Sequence, residues 1–237
     1  MHDIEEVSRT ASAIEGWLSD DQGRALYMAA AATSGRGAIV EIGSWKGRST
    51  VWLASGARQA ARRVHAIDPH AGSHEDSSAS TFEAFRTNLD RAGLAGQVEV
   101  MVMTSAEAAG RLEGPVELLF VDGDHSIEGA ARDADIWLPR VMSEGVVMFH
   151  DVATSGYSGP RRVFQRRICR SAQFHRIRKI GSLGIAQRTP RRSRVAAAHA
   201  RAFGLLLYFH DLEGALKRTL RRLRRALGLY PSAVSST

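Results

Sequence analysis

Acidic and imidazole side chains recur at the ends of short apolar runs, and their types point to nucleoside and cation chemistry. The stretch Glu41-Ile-Gly-Ser-Trp-Lys-Gly-Arg-Ser-Thr50 follows the run Ala38–Ile42. Gly43 and Gly47 let the backbone pass close to a ligand, and a helix start after them offers unpaired N–H groups to an anion. A plain strand-to-helix turn would read the same way. The spacing is not the GxGxxG of a dinucleotide site, and an acid precedes it. Glu41 places a carboxylate where an amino group could be held, which favours a cofactor bearing an amino acid over NAD.

Four more positions extend the pattern. Asp68 lies 27 residues after Glu41, where a carboxylate can accept both ribose hydroxyls of a nucleoside, or can cap a helix or turn. Ser105, in Met103-Thr-Ser-Ala-Glu107, is placed to touch an adenine edge or to be the N-cap of the next helix. Phe120-Val-Asp-Gly-Asp-His125 and Phe149-His-Asp151 each deliver acids and an imidazole behind an apolar run, and buried charge is costly unless paired or used. Asp122 and Asp151 together can bind a hard divalent cation through oxygen, or can serve as caps and internal ion pairs. His125 sits where a general base for a substrate hydroxyl would be, and Asp124 reads as a turn or cap residue.

The elements that must position these groups follow from periodicity. Short β-rich runs at 38–42, 64–67, 98–102, 116–121 and 145–149 alternate with helix-compatible segments at 49–62, 80–92, 105–112 and 127–142. That rhythm predicts an α/β fold, a Rossmann-like doubly wound and mostly parallel sheet whose ligands lie at the carboxyl ends of the strands. Phe174–Lys179 and Leu183–Gln187, separated by Gly181-Ser182, predict a terminal antiparallel hairpin. Residues 11–32 read as one N-terminal helix, 155–160 as a loop, 189–193 as a linker, and 195–228 as one or two helices. The expected organisation is a helical cap over 1–37, a ligand-binding domain over 38–188 and a basic helical extension over 189–237.

Composition bounds the partners. An apolar fraction of 44% and a charged fraction of 24% are those of a soluble globular protein. One cysteine, Cys169, excludes an internal disulfide framework and any CxxC metal site. The N-terminus lacks the pattern of a signal peptide and no run is apolar enough to span a bilayer, so a cytoplasmic protein, or one peripheral to the membrane, is expected. The net charge of +7 conceals an asymmetry: residues 159–237 hold 19 Lys/Arg and 2 Asp/Glu, a balance of +17, against −10 for the rest. In the tail, Leu212, Leu216, Leu220, Leu223 and Leu227 share one helical stripe, with basic residues around them. That stripe suits docking on its own domain or a second subunit, contact with anionic lipid, or, less well, nucleic acid.

The ordered set Ile39–Leu53, His65-Ala-Ile-Asp-Pro-His70, Leu119–Gly129 and Phe149-His-Asp-Val152 resembles the class I S-adenosylmethionine-dependent methyltransferases. Within them it is most similar to the small bacterial group related to catechol-type and macrolide-sugar O-methyltransferases. The resemblance implies that Glu41 and Gly43 face the methionine portion of S-adenosyl-L-methionine, with Trp45 and Ser49 nearby. It implies Asp68 on the ribose, Ser105 on the adenine, Asp122 and Asp151 on Mg²⁺ and beside the cofactor, and His125 as catalytic base. His150 stands where relatives often place an acidic metal ligand. Imidazole suits transition metals better than magnesium, so the cation is held by Asp122, Asp151 and water, or is another divalent metal with His150 as ligand, or is dispensable. The expected activity is O-methylation of a sugar, glycolipid or other small hydroxylated natural product. An RNA-modifying methyltransferase and a non-catalytic nucleotide-binding module are the competing expectations, and a homo-oligomer is compatible with all three. Acceptor choice would rest on the N-terminal helix, residues 70–80 and the loop after Asp151, none of which carries a readable code.

Overall fold

The structure, a computed structural model, describes residues 3–71, 81–154, 156–190 and 193–226; within 210–226 the side-chain description is confined to Thr219. Five parallel strands, β1 (Ala38–Ile42), β2 (Val64–Ile67), β3 (Val98–Met101), β4 (Val116–Val121) and β5 (Val141–Phe149), are followed by β6 (Phe174–Ile180) and β7 (Leu183–Arg188). The sheet order is β3-β2-β1-β4-β5-β7-β6. β7 runs antiparallel to β5 and to β6, so the expected hairpin closes the sheet. β1 lies between β2 and β4, which reverses the winding direction at β1 and opens a crevice at the strand tips.

Alternate side chains along the strands feed two apolar layers. Ile39, Val64, Leu118, Phe120 and Met148 face α1 (Ile4–Ser12), α2 (Asp20–Ala31), α3 (Arg48–Gln59) and α4 (Phe82–Arg91). Val40, Ile67, Leu119, Val121 and Phe149 face α5 (Ser105–Arg111), α6 (Ile127–Trp137), α7 (Ser158–Val163) and α8 (Arg194–Ala226). Strands buried on both faces explain why these runs are continuously apolar. Glu117 is the polar exception in β4. Its carboxylate accepts N–H groups from Ser34, Gly35, Arg36 and Gly37, which fixes the turn that launches β1.

Several boundaries differ from expectation. Residues 11–32 are not one helix: α1 ends at Ser12, and α2 begins after a capping box between Ser19 and Gln22. Gly16, at φ +152, turns the chain between them. A side chain oxygen that satisfies the first orphan N–H groups starts a new helix more cheaply than continuing through glycine. The segment expected as helix to 142 ends at Trp137, because Pro139 forms a short 3₁₀ turn and β5 begins at Val141. The loop expected at 155–160 holds the start of α7, which runs into a π-helical turn over Phe164–Cys169. Among the described residues the tail holds a single helix, α8, about 50 Å long at the usual rise. Among the described residues no helix is long and apolar enough to cross a membrane.

Close packing seats α2 on α3. A Cβ on Gly23 would lie 2.1 Å from the Trp52 indole nitrogen, and one on Gly56 would lie 2.2 Å from the Tyr27 carbonyl. This contact holds the 13–19 segment against the loop after β1, where Arg48 donates to the carbonyls of Ile14 and Gly16 and Lys46 pairs with Glu15 at 2.7 Å.

Candidate active site

The strand tips are tied together by backbone bonds that extend the ladders: Gly43 N–H to the Ile67 carbonyl, Asp122 N–H to Ile42, and His150 N–H to Val121. Gly43 has φ +86, and a Cβ there would lie 2.2 Å from the Asp122 carbonyl oxygen, so only glycine lets the β1 and β4 loops meet. Asp68 joins the first two tips. Its carboxylate accepts the Trp45 N–H at 2.8 Å and the His70 N–H at 2.7 Å. Trp45 adopts φ 43 and His70 φ 50, positive values that side chains rarely take and that cluster at functional sites. The Trp45 ring stacks on exposed Trp17 with centroids 5.0 Å apart, and Lys46 Nζ lies 4.4 Å from its centre.

Glu41 is fully buried, and its two oxygens accept the hydroxyls of Ser49 and Thr50, both at 2.6 Å. Burial pushes the Glu41 carboxyl up to about 8, against the pull of those two hydroxyls. Its acid therefore binds into the base of α3 rather than standing open in the crevice. A glutamate near 4.5 when unfolded and near 8 when folded binds its proton more tightly in the folded state. Its contribution is full below about pH 4.5 and is lost as pH rises through about 8. Glu41→Gln, which mimics the neutral form, is expected to flatten the decline of the unfolding midpoint between these limits, read by circular dichroism at a series of pH values. A slope identical to wild type would show that Glu41 is ionised in the folded chain.

Ser105 is not the N-cap of α5. Thr104 holds that place in a capping box with Glu107, because its hydroxyl is the one positioned over the Glu107 N–H. The Ser105 hydroxyl instead donates to Asp133, whose carboxyl is pushed up by burial. Asp124 serves as a turn residue, accepting the Ser126 N–H.

The tips of β4 and β5 bring together two acids and two imidazoles. His125 Nε2 lies 2.9 Å from Asp151 and 3.5 Å from Asp122, though the ring is not aligned for a straight hydrogen bond. His150 Nδ1 lies 3.2 Å from Asp122 and 3.4 Å from Asp151. Burial alone would lower both imidazoles. Pairing with Asp122 and Asp151 outweighs it, and holds His125 at about 9 and His150 at about 10. Asp151 is held far below the usual carboxylate range: burial opposes this, and contacts from His125, His150 and Thr154 prevail. Asp151 has φ 57, and buried Arg161 ties down the turn after it by donating to the carbonyls of Val152 and Thr154. His125 stacks on Tyr157 at 4.4 Å, and α7 closes on the His125 turn so tightly that a Cβ on Gly159 would lie 2.3 Å from its carbonyl.

The donor set fits a divalent cation. One atom each from Asp122, His125 and Asp151 lie within 4.8 Å of one another. This differs from the sequence expectation, which gave His150 to the metal and kept His125 apart as base. His150 is 4% exposed and its far nitrogen is turned to the Ser182 hydroxyl, while His125 stands with the acids on the more open side. The crevice also fits a polar, extended ligand. Ser44 Oγ, Trp45 Nε1 and His70 Nε2 are buried at the tips of β1 and β2 without a hydrogen-bonding partner. Buried polar atoms of this kind are rare unless something else satisfies them. Thr50, His70, Thr154 and Tyr157 went unnoticed in the sequence. Only His70, in the Asp-Pro-His stretch, carried a visible signal there.

Known proteins agree with this geometry. A family model described as a methyltransferase domain matches residues 40–152. A catechol O-methyltransferase of Mycobacterium tuberculosis is 34% identical over 142 residues, which are 59% of this chain and 58% of that protein. The chain thus spans less than two thirds of that relative. A cofactor-bound structure of Rv0187 from MTB is 25% identical, with a TM-score of 0.59 over 80% of this chain and 88% of the other. An O-methyltransferase from Bacillus cereus, solved with S-adenosylhomocysteine, shares the fold at 22% identity, a TM-score of 0.60, and coverage of 80% and 92%. Residues 40–152 match a methyltransferase domain in sequence, and the sheet around them has the fold of an O-methyltransferase solved with S-adenosylhomocysteine.

Proposed function

We propose that this chain transfers the methyl group of S-adenosyl-L-methionine to a hydroxyl oxygen of a sugar, a glycolipid or another small natural product, with a divalent cation assisting. The observation that carries the reading is the placement of Asp68 at the tip of β2 and of the Asp122–His125–Asp151 cluster at the tips of β4 and β5, on opposite sides of β1. A nucleoside held by the first and an acceptor held by the second then lie on either side of the β1 tip. The domain over 38–188 supplies both, under a cap formed by 1–37 and with 189–237 as an extension.

Each side chain has a part in this reading. Asp68, locked by two backbone N–H groups, presents its remaining lone pairs to the ribose hydroxyls. Gly43 and the Trp45 loop form the wall for the methionine portion. Glu41 supports that wall from beneath through Ser49 and Thr50. Ser105 and Asp133 act as a pair at the adenine end, where the serine hydroxyl is fixed by the buried acid. Asp122, His125 and Asp151 would hold the divalent cation, with His150 bracing the two acids from the buried side. A bound cation supplies polarisation of the acceptor hydroxyl, which lowers its pKa. With the cation held by the two carboxylates alone, His125 is instead placed to receive the hydroxyl proton, because one nitrogen does not ligate and accept a proton at once. In the free chain its pairing with Asp122 and Asp151 keeps it protonated at neutral pH, so that role requires those carboxylates to be engaged elsewhere. Rigid strand tips supply alignment of the oxygen with the sulfonium carbon, which can carry a large part of the rate.

The test is transfer of label from methyl-tritiated S-adenosylmethionine to catechol, a free sugar and a glycolipid, with and without added Mg²⁺, Mn²⁺ or Co²⁺. Labelled ether on one acceptor, increased by a cation, is expected. Binding of the cofactor with no transfer to any hydroxyl would defeat the O-methyltransferase reading.

A further inference from the structure

The first half of α8 docks on the domain by one side only. Ala200 and Leu207 are buried, Phe203 packs near Phe164 with ring centroids 6.3 Å apart, and Gln165 donates to the Gly204 carbonyl at 2.9 Å. A second side is apolar and uncovered: Leu205 is 60% exposed, Leu206 67% and Phe209 60%, with Tyr208 beside them at 57%. Steps of three and four residues carry the Leu205–Phe209 register on to Leu212, Leu216, Leu220 and Leu223. Such steps keep residues on one stripe of a helix. Apart from Thr219, the intervening positions from 217 to 225 are all basic: Lys217, Arg218, Arg221, Arg222, Arg224 and Arg225. Asp211 and Glu213 are the only acids in the whole helix.

From this we infer that α8 is a docking element for an anionic bilayer surface, with its leucine and aromatic stripe in the headgroup–acyl boundary and its cations on the lipid phosphates. A helix with an apolar stripe, a cationic remainder and insufficient apolar length to span matches the physics of interfacial binding. Charge complementarity selects this occupant over a second copy. Pairing two α8 helices in parallel would bring six cations alongside six more, and pairing them antiparallel would lay those six along a first half that holds Arg194 and Arg201 and no acid. Nor does the acidic body offer a matching apolar face among the described residues. Its exposed large apolar side chains are few: Trp17 in the turn between α1 and α2, Met28 on α2, and Val100 and Val102 at the end of the edge strand β3.

The experiment is sedimentation of the full chain with vesicles of phosphatidylcholine alone and of phosphatidylcholine containing phosphatidylglycerol. Binding to the anionic vesicles alone, weakened by salt, is expected. The double substitution Leu206→Ser, Phe209→Ser removes exposed side chains, so the unfolding midpoint should not change while vesicle affinity drops at least about tenfold. Replacing Arg221, Arg222, Arg224 and Arg225 by glutamine should weaken it by more than about tenfold, since each cation near an anionic surface contributes separately. The inference is overturned by equal binding to neutral vesicles, by no binding to either, or by a dimer in velocity sedimentation that the Leu206→Ser, Phe209→Ser variant dissociates.

Discussion

Asp68→Ala is expected to weaken binding of S-adenosylhomocysteine by roughly a hundredfold, measured by titration calorimetry. Two losses combine. The carboxylate that would accept ribose hydroxyls disappears, and hydrogen bonds to a charged acceptor contribute about 1.5–3 kcal/mol each. The Trp45 and His70 N–H groups also lose their shared acceptor, so the β1 and β2 loops no longer hold their positive-φ turns in place. Asp68→Asn separates the two. Its carbonyl oxygen can keep one of the backbone bonds, but its amide presents a donor to the other N–H, so affinity should fall between wild type and alanine. Wild-type affinity in Asp68→Ala would remove the nucleoside from the β2 tip and with it the assignment of the crevice.

His125→Ala should lower turnover by about a thousandfold, in the range that a positioned proton-transfer group contributes, with S-adenosylhomocysteine affinity little changed. The structure adds a second expectation. Because His125 stands with Asp122 and Asp151 as a candidate donor, the cation concentration needed for half-maximal rate should also rise. Excess Mn²⁺ or Co²⁺ would then recover part of the rate if the lost function is that of a ligand. It would recover none if His125 serves as base alone. Turnover equal to wild type, at any cation level, removes His125 from the chemistry.

The differing fates of Glu41 and Asp68 show where local reading stops. Both are acids at or near the end of an apolar run, and both were assigned to the cofactor from that position. Asp68 remains at the crevice, 15% exposed at the side chain, whereas Glu41 is sealed by two hydroxyls from the next helix. The difference lies in the partners: Glu41, within β1, meets hydroxyls of α3, whereas Asp68, just past β2, meets N–H groups of two loops.

By itself the sequence determined the order of strands and helices, the closing hairpin and the concentration of acids at strand tips. Each is a local matter: a period of two or 3.6, a glycine break, or a polar residue where an apolar run ends. Tertiary structure alone decided the partnership of Ser105 with Asp133, the side on which α8 docks, and which imidazole joins the acids. Those outcomes depend on groups distant in the chain, such as Asp122 with His150 and Asp151, which meet only because β4 and β5 are neighbours. Contacts made by sheet register leave no periodic trace in the sequence, so chemistry between tips is readable only after the strands are paired.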